Sequence, residues 1–300
     1  MGEFTLSEVD LYIYQVLVID LVIAVVMISG LRFLTGLVAN VNSAEELASR
    51  DNYAFGLAMA GGTVSLSLML TGAVSGEPGA TFLSEVIAVL VYGVVGLILI
   101  KVGRLAQDKL ILRGIEIQDE IKKGNLAAAL VDVGNTIATG LVLRAVMLWV
   151  ESDTFDGLLA VLAAFVLTQL MLALVTQYRL MVYARRNAGG SLQEAFKGGN
   201  VALSIRFLGN LLGVSLAITA ASGVVAYDTA SLPVALASWA AVTLLFAILV
   251  SLLAIVARSV ILMGVHVVEE VDEQGNVGVA AIEAAVYIAM GLFFAALFAG

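Results

Sequence analysis

The sequence predicts an all-α, polytopic membrane protein, a bundle of about eight transmembrane helices, from three observations. Charged residues make up only 13% of the chain and hydrophobic ones 61%, against roughly 25% charged in soluble domains. The mean hydropathy is +1.04. Apolar stretches of about 20 residues, the length that crosses a hydrocarbon core, recur between charged connectors along the whole chain.

The helices are placed in order as follows. The first, 11–37, follows an acidic start, MGEFTLSEVD, which lacks the basic region of a signal peptide and is expected to stay attached. It carries Asp20 well inside its apolar run. The second, 53–75, opens after Asn52. The third, 82–101, meets the mixed-charge stretch KVGRLAQDKLILRGIEIQDEIKK (101–123), which either extends the helix into the cytoplasm or lies on the membrane surface. The fourth, 125–150, opens at Asn125, and the fifth covers 156–181. The sixth, 200–226, opens at Asn200, the seventh covers 232–258, and the eighth, 276–299, opens at Asn276.

Two kinds of connection alternate between them. Those at 38–52, 102–124, 182–199 and 259–275 are long and charged, whereas 76–81, 151–155 and 227–231 are short and acidic. Arg50, Lys101, Arg104, Lys109, Arg113, Lys122, Lys123, Arg179, Arg185, Arg186, Lys197 and Arg258 all lie in or beside the long connectors, and Arg32 sits near the same end of the first helix. Positive residues are retained in the cytoplasm, so the long connectors are expected inside and both termini outside. Tyr12, Tyr14, Trp149 and Trp239 fall near the outer helix ends, where aromatic belts form. Arg144, near the outer end of the fourth helix and close to Glu151 and Asp153, is expected to snorkel to the interface.

An internal repeat underlies this order. The four helix-opening asparagines are spaced by 73, 75 and 76 residues. Six positions before each stands an acid: Glu46, Asp119, Glu194 and Glu270. Two positions after come Ala54, Ala127, Ala202 and Gly278; nine after, Gly61, Gly134, Gly209 and Ala285; fifteen after, Ser67, Gly140, Ser215 and Gly291. Each unit therefore reads as helix, charged connector, asparagine, and a helix rich in small residues. Seven positions after the asparagine, units two and four carry Asp132 and Glu283, where units one and three carry Met59 and Phe207. The halves 1–150 and 151–300 thus read as a duplicated pair of unlike units, four helices in each. The repeats run parallel rather than inverted.

The pattern of acidic connector, Gly-Asn and small residues, clearest in EIQDEIKKGNLAAALVDVGNTIATG (116–140) and SLQEAFKGGNVALSIRFLGNLLG (191–213), resembles the YjfL-like bacterial inner-membrane proteins, a domain of unknown function. The resemblance covers essentially the whole chain in four tandem units. Unit one departs from it with Asp51-Asn52, and unit four with Val286 in place of the asparagines at 135 and 210. It implies an inner-membrane location and links to envelope stress, and it supplies no reaction and no site residues.

Candidate functional residues come from charge and polarity at depth. Asp132 and Glu283 lie about 10 Å past the connector end of their helices, at 1.5 Å per residue, and Arg206 lies almost level with them. Asp132, Asn135 and Thr136 share one helix face, and Arg206 and Asn210 share another. Charges at such depth pair with each other or line a hydrated cavity. Asp20, Asp132, Asn135, Arg206, Asn210 and Glu283 are therefore the candidates for a polar pathway. A structural pairing of Arg206 with a carboxylate is the other reading. Asn52, Asn125, Asn200 and Asn276 read as helix caps, and the small residues as close-packing faces.

Other functions are disfavoured. The chain has no cysteine and one histidine, His266, which removes disulfides, thiolate sites and paired-histidine haem. A net charge of −9 argues against nucleic acid. No P-loop, G-x-S-x-G, H-E-x-x-H or dinucleotide fingerprint is present, so no enzyme, cofactor or metal site is expected. The functional expectation is a small-solute or ion channel or transporter. The alternative is a non-transporting scaffold that recruits cytoplasmic stress proteins through its connectors, and a groove for a quinone or lipid is a third reading. Beyond the lipid bilayer, the sequence names no partner and no oligomeric state.

Overall fold

The structure, a computed structural model, describes residues 11–39, 41–75, 81–150 and 155–298. Among these residues it is helical, without strands. Eight helices are long and apolar enough to cross a membrane. They belong to α1 (Leu11–Ala39), α3 (Tyr53–Ala73), α4 (Phe82–Ala106), α6 (Leu126–Trp149), α7 (Phe155–Arg186), α9 (Val201–Val224), α10 (Leu232–Ile261) and α11 (Val277–Phe298). The fold class is the one that hydropathy demands. The acidic start and residues 76–80 and 151–154 of two short connectors, including Glu151 and Asp153, lie outside the described residues.

The long connectors are not plain loops. Three contain six-residue helices: α2 (Ser43–Ala48), α5 (Ile117–Lys122) and α8 (Leu192–Lys197). The fourth contains a π-helical turn, Glu269–Glu273. A second π-helical turn, Gln107–Ile111, continues α4 past its expected end at 101, so the 101–123 stretch begins as a helix extension.

One corner joins each of these segments to the next long helix. The residue before the asparagine adopts a left-handed backbone: φ is +85° at Gly124, +84° at Gly199, +65° at Gly275 and +47° at Asp51. Glycine takes this conformation without a Cβ penalty, and aspartate is among the few other residues that tolerate it. The asparagine then caps the long helix, its side-chain oxygen accepting from the N–H of Phe55, Ala128, Leu203 or Val279 at 3.0–3.1 Å.

The second helix of each unit, α3, α6, α9 and α11, packs on its successor, so these four form a central row in chain order. Lipid offers no hydrophobic drive for helix association, so close backbone approach is what stabilises such contacts. The approach is very close here. A Cβ built on Gly61 would lie 3.2 Å from the Cα of Val133, one on Gly134 2.9 Å from the Cα of Leu208, and one on Gly209 2.3 Å from the Cα of Ala284. The same geometry therefore repeats three times: the ninth residue after one asparagine meets the eighth after the next. The helices α1, α4, α7 and α10 lie against this row.

At the end opposite the connectors, Trp149 and Trp239 are buried and stacked, with ring centroids 5.3 Å apart. Their indole N–H groups donate to the Val225 carbonyl at 2.6 Å and to Ser222 Oγ at 3.1 Å. The belt expected of them at the lipid interface is not formed by these two residues, because each buried N–H has an acceptor inside the bundle. Arg144 reaches back to Thr71 Oγ1 at 3.1 Å.

Candidate functional site

Two clusters of paired charged side chains lie near the connector end of the membrane-spanning helices, one in each half. In the first half, Arg104 of α4 forms a two-pronged ion pair with the buried Asp132 of α6. Gln118 of the following connector adds a bond to Asp132 at 3.2 Å. Asp108, on the π turn that ends α4, is buried beside this pair. Gln107 of the same turn donates to Thr176 of α7 at 2.9 Å.

In the second half, Arg206 of α9 donates through Nε to Glu283 of α11 at 2.6 Å and pairs through Nη1 with Asp272. Its Nη2 donates to the Val267 carbonyl at 3.2 Å. Glu283 receives a second cation, Arg258 of α10, at 2.5 Å. Asp272 sits on the π turn before α11 and also accepts from Asn187 at 3.3 Å. Both halves thus share a plan. The acid seven residues into the closing helix meets an arginine from the preceding long helix, and a π turn brings a further buried acid. Arg206 is the addition peculiar to the second half. Burying charge in hydrocarbon is costly unless it is paired, and every carboxylate of these pairs is matched by a guanidinium.

Helix α7 runs between the two clusters. Gln169 and Thr139 both lie against Gly103, at 3.1 Å from a Cβ built there. Thr176 serves the first cluster through Gln107, whereas Arg179, Tyr183 and Asn187 serve the second. From Gln169 to Arg179 the helix climbs about 15 Å. Arg179 also stands over the ring of Tyr287, 5.1 Å from its centroid. A cleft opens at the connector end between α7 and α9, lined by Arg179, Tyr183, Arg186, Arg206, Asn210 and Asp272.

Several buried polar atoms on α6, α7 and α9 have no hydrogen-bond partner within the protein: Asn135 Nδ2 and Oδ1, Thr136 Oγ1, Gln169 Nε2, Arg179 Nε and Asn210 Oδ1. Buried polar groups are nearly always satisfied, and ordered water is the usual partner of those that the protein itself leaves open.

The six pathway candidates fall in three groups. Asp132 and Asn135 lie in the first half, the former locked to Arg104. Arg206, Asn210 and Glu283 lie together in the second half, and Asn210 donates to the Arg206 carbonyl at 2.9 Å. Asp20, half-buried on α1, stands apart near Glu85 of α4. The asparagine caps do more than cap. Asn52 Nδ2 also donates to the carbonyls of Ile121 and Lys122 at 3.1 and 3.2 Å, and Asn125 Nδ2 to those of Phe196 and Lys197 at 3.1 and 3.0 Å. Each staples the connector helix of the next unit. At that corner the Lys123 ammonium, followed by Asn125, holds the Glu120 carboxyl below its ordinary range.

Sequence reasoning missed Arg104 and Arg258 as partners, because each read as a connector charge. It also missed the polar face of α7. The available signal was Gln169, Thr176 and Tyr183, spaced by seven within an apolar run. Among the described residues, no group of three or more histidine, aspartate or glutamate side chains is placed to hold a metal ion.

A family model described as Domain of Unknown Function (DUF350) matches residues 9–147 and again residues 153–298. A UPF0719 transmembrane protein of Aquifex aeolicus (strain VF5) is 27% identical over 135 residues, covering 45% of this chain. The match spans 49%, about half, of that relative's length. No solved structure matches the chain.

Proposed function

We propose, for an integral membrane protein that belongs to the DUF350 family and carries the family's unit twice, a role as a small-solute or ion channel or transporter whose polar route follows α7. The cleft between α7 and α9 is its connector-side mouth. Arg179 and Arg186 make that mouth attractive to anions, whereas Arg206 beside them is already paired with Asp272 and Glu283. The observation that carries this reading is the set of partnerless buried polar atoms on α6, α7 and α9, of which Arg179 and Asn210 line the cleft. Polar groups in a membrane interior mark substrate or ion pathways when they line a hydrated space.

The setting is the bacterial inner membrane, with the charged connectors in the cytoplasm and both ends of this chain outside. The two halves are a duplicated YjfL-like pair of units, four units in all. The double family match supports the duplication, and the distribution of Lys and Arg supports the orientation.

The test is flux through purified protein in liposomes, scored with a panel of small anions, cations and neutral solutes. Wild-type protein is expected to pass at least one class, and Gln169→Leu or Asn210→Leu to reduce that flux at least tenfold with no loss of thermal stability. No flux in any class overturns the reading.

A second reading, a non-transporting scaffold that recruits cytoplasmic envelope-stress partners through its connectors, is favoured by one feature. The central row is closed by backbone contact at Gly61, Gly134 and Gly209. Wild-type protein that conducts nothing but binds a cytoplasmic partner through α5 or α8 supports this alternative.

A further inference from the structure

The row α3–α6–α9–α11 is built by one head-to-tail contact used three times, and such a contact leaves two unlike ends. At each internal step, the face carrying the second, ninth and sixteenth residues after one asparagine receives the face carrying the eighth and fifteenth residues after the next. The giving face is covered in unit three, where Ala202, Gly209 and Leu216 are buried. In unit four the matching residues Gly278, Ala285 and Leu292 are exposed. The receiving face is covered in units two and four, where Val133, Gly140, Ala284 and Gly291 are buried. In unit one the matching Ala60 is exposed, as is Val64 one turn on, and Ser67 is half-buried.

The polar staples add a second contact at two of the internal steps. Asn52 and Asn125 donate their amides to the connector helix of the following unit. Asn52, Asn125 and Asn276 each also donate to an acid of their own connector, Glu46, Glu120 and Glu270, at 3.0, 3.2 and 2.8 Å. The connector helix of unit one, α2, closes on Ala48 and Ser49, whose carbonyls correspond by position to those of Ile121 and Lys122.

We infer that a second copy of this chain completes the row: α11 of one copy packs against α3 of the other, Ala285 against Ala60, with Asn276 reaching the end of the partner's α2. The occupant follows from the contact itself. The face on α3 is the counterpart of the faces that α6, α9 and α11 present to their predecessors within one chain. Small residues at both ends let backbones approach without a hydrophobic drive, as they do at the three internal steps. Two copies joined at both ends close a ring of eight units.

The chain has no cysteine, which makes the test clean. The double variant Ala60→Cys, Ala285→Cys, in the full chain in membrane vesicles, is oxidised and run without reductant. A reducible species of two or more chains is expected, absent from either single variant. The mass of the wild-type chain in lipid discs is the second measurement. Two copies or more are expected, and a single copy overturns the proposal even if the variant fails to accumulate. A variant that accumulates but does not cross-link, cross-links within one chain, or cross-links as either single change overturns the head-to-tail geometry.

Discussion

Arg206 Nε lies 2.6 Å from Glu283 Oε2, although the two residues stand 77 positions apart. The same guanidinium holds Asp272, and the same carboxylate holds Arg258. Four charges from α9, α10, α11 and a π turn therefore form one continuous chain of ion pairs at the connector end of the second half.

The unequal wiring of this network makes a prediction. Removing Arg206 strips a partner from two buried acids, whereas removing Arg258 strips one from Glu283 alone. Breaking one side of a buried pair costs about 3–5 kcal/mol in soluble proteins, and membrane reference states soften this. Arg206→Met is expected to lower the unfolding temperature in detergent more than Arg258→Met. Adding Asp272→Asn to Arg206→Met is expected to recover part of the loss.

The central row predicts where volume is forbidden. A methyl group at Gly209 would lie 2.3 Å from the Ala284 Cα, whereas one at Gly30 meets nothing within 4 Å. Gly209→Ala is expected to reduce thermal stability and yield. Gly30→Ala is expected to be neutral or slightly stabilising, since alanine is favoured over glycine in helices by about 1 kcal/mol. Parallel melts of the two variants decide the point.

Much of this fold was legible in the sequence, and the reasons are physical. Eight apolar stretches and the one-sided placement of Lys and Arg reflect the cost of moving polar groups through hydrocarbon, which acts on each segment alone. The Gly-Asn corners were legible because a left-handed residue and a cap are local devices. Partner choice was not legible. Arg104 and Arg258 resemble any basic residue at a helix end until the neighbouring helix supplies Asp132 or Glu283. The π turns, which carry the buried Asp108 and Asp272, were not legible either. The polar face of α7 was hidden because glutamine, threonine and tyrosine barely lower the hydropathy of a long apolar run.

Asn125 joins a cap to a staple, and the two roles separate by experiment. A lost cap alone costs about 1 kcal/mol, and Ser191, which caps α8 through the Glu194 N–H, shows that baseline. Asn125→Ala also frees the Phe196 and Lys197 carbonyls. It is expected to destabilise more than Ser191→Ala and to raise hydrogen exchange in α8 as well as at the start of α6. Exchange changed only at α6 would leave the staple without energetic weight.

The proposed orientation places Ser75 outside and Ala188 in the cytoplasm. In intact cells, a membrane-impermeant thiol reagent is expected to label Ser75→Cys and to spare Ala188→Cys. The opposite pattern reverses the topology.

The central claim is that the inner face of α7 and its neighbours line a hydrated polar route. Reaction of single introduced cysteines with a small, charged, water-soluble thiol reagent in membrane vesicles measures this most directly. Gln169→Cys, Arg179→Cys and Asn210→Cys lie on the route, whereas Val166→Cys and Leu174→Cys lie on the outer face of α7, where Val166 and Leu174 are 58% and 64% exposed on the bundle surface. The account predicts that the three route positions react at least ten times faster than the two outer ones. Rates that are equally slow at all five positions would contradict it.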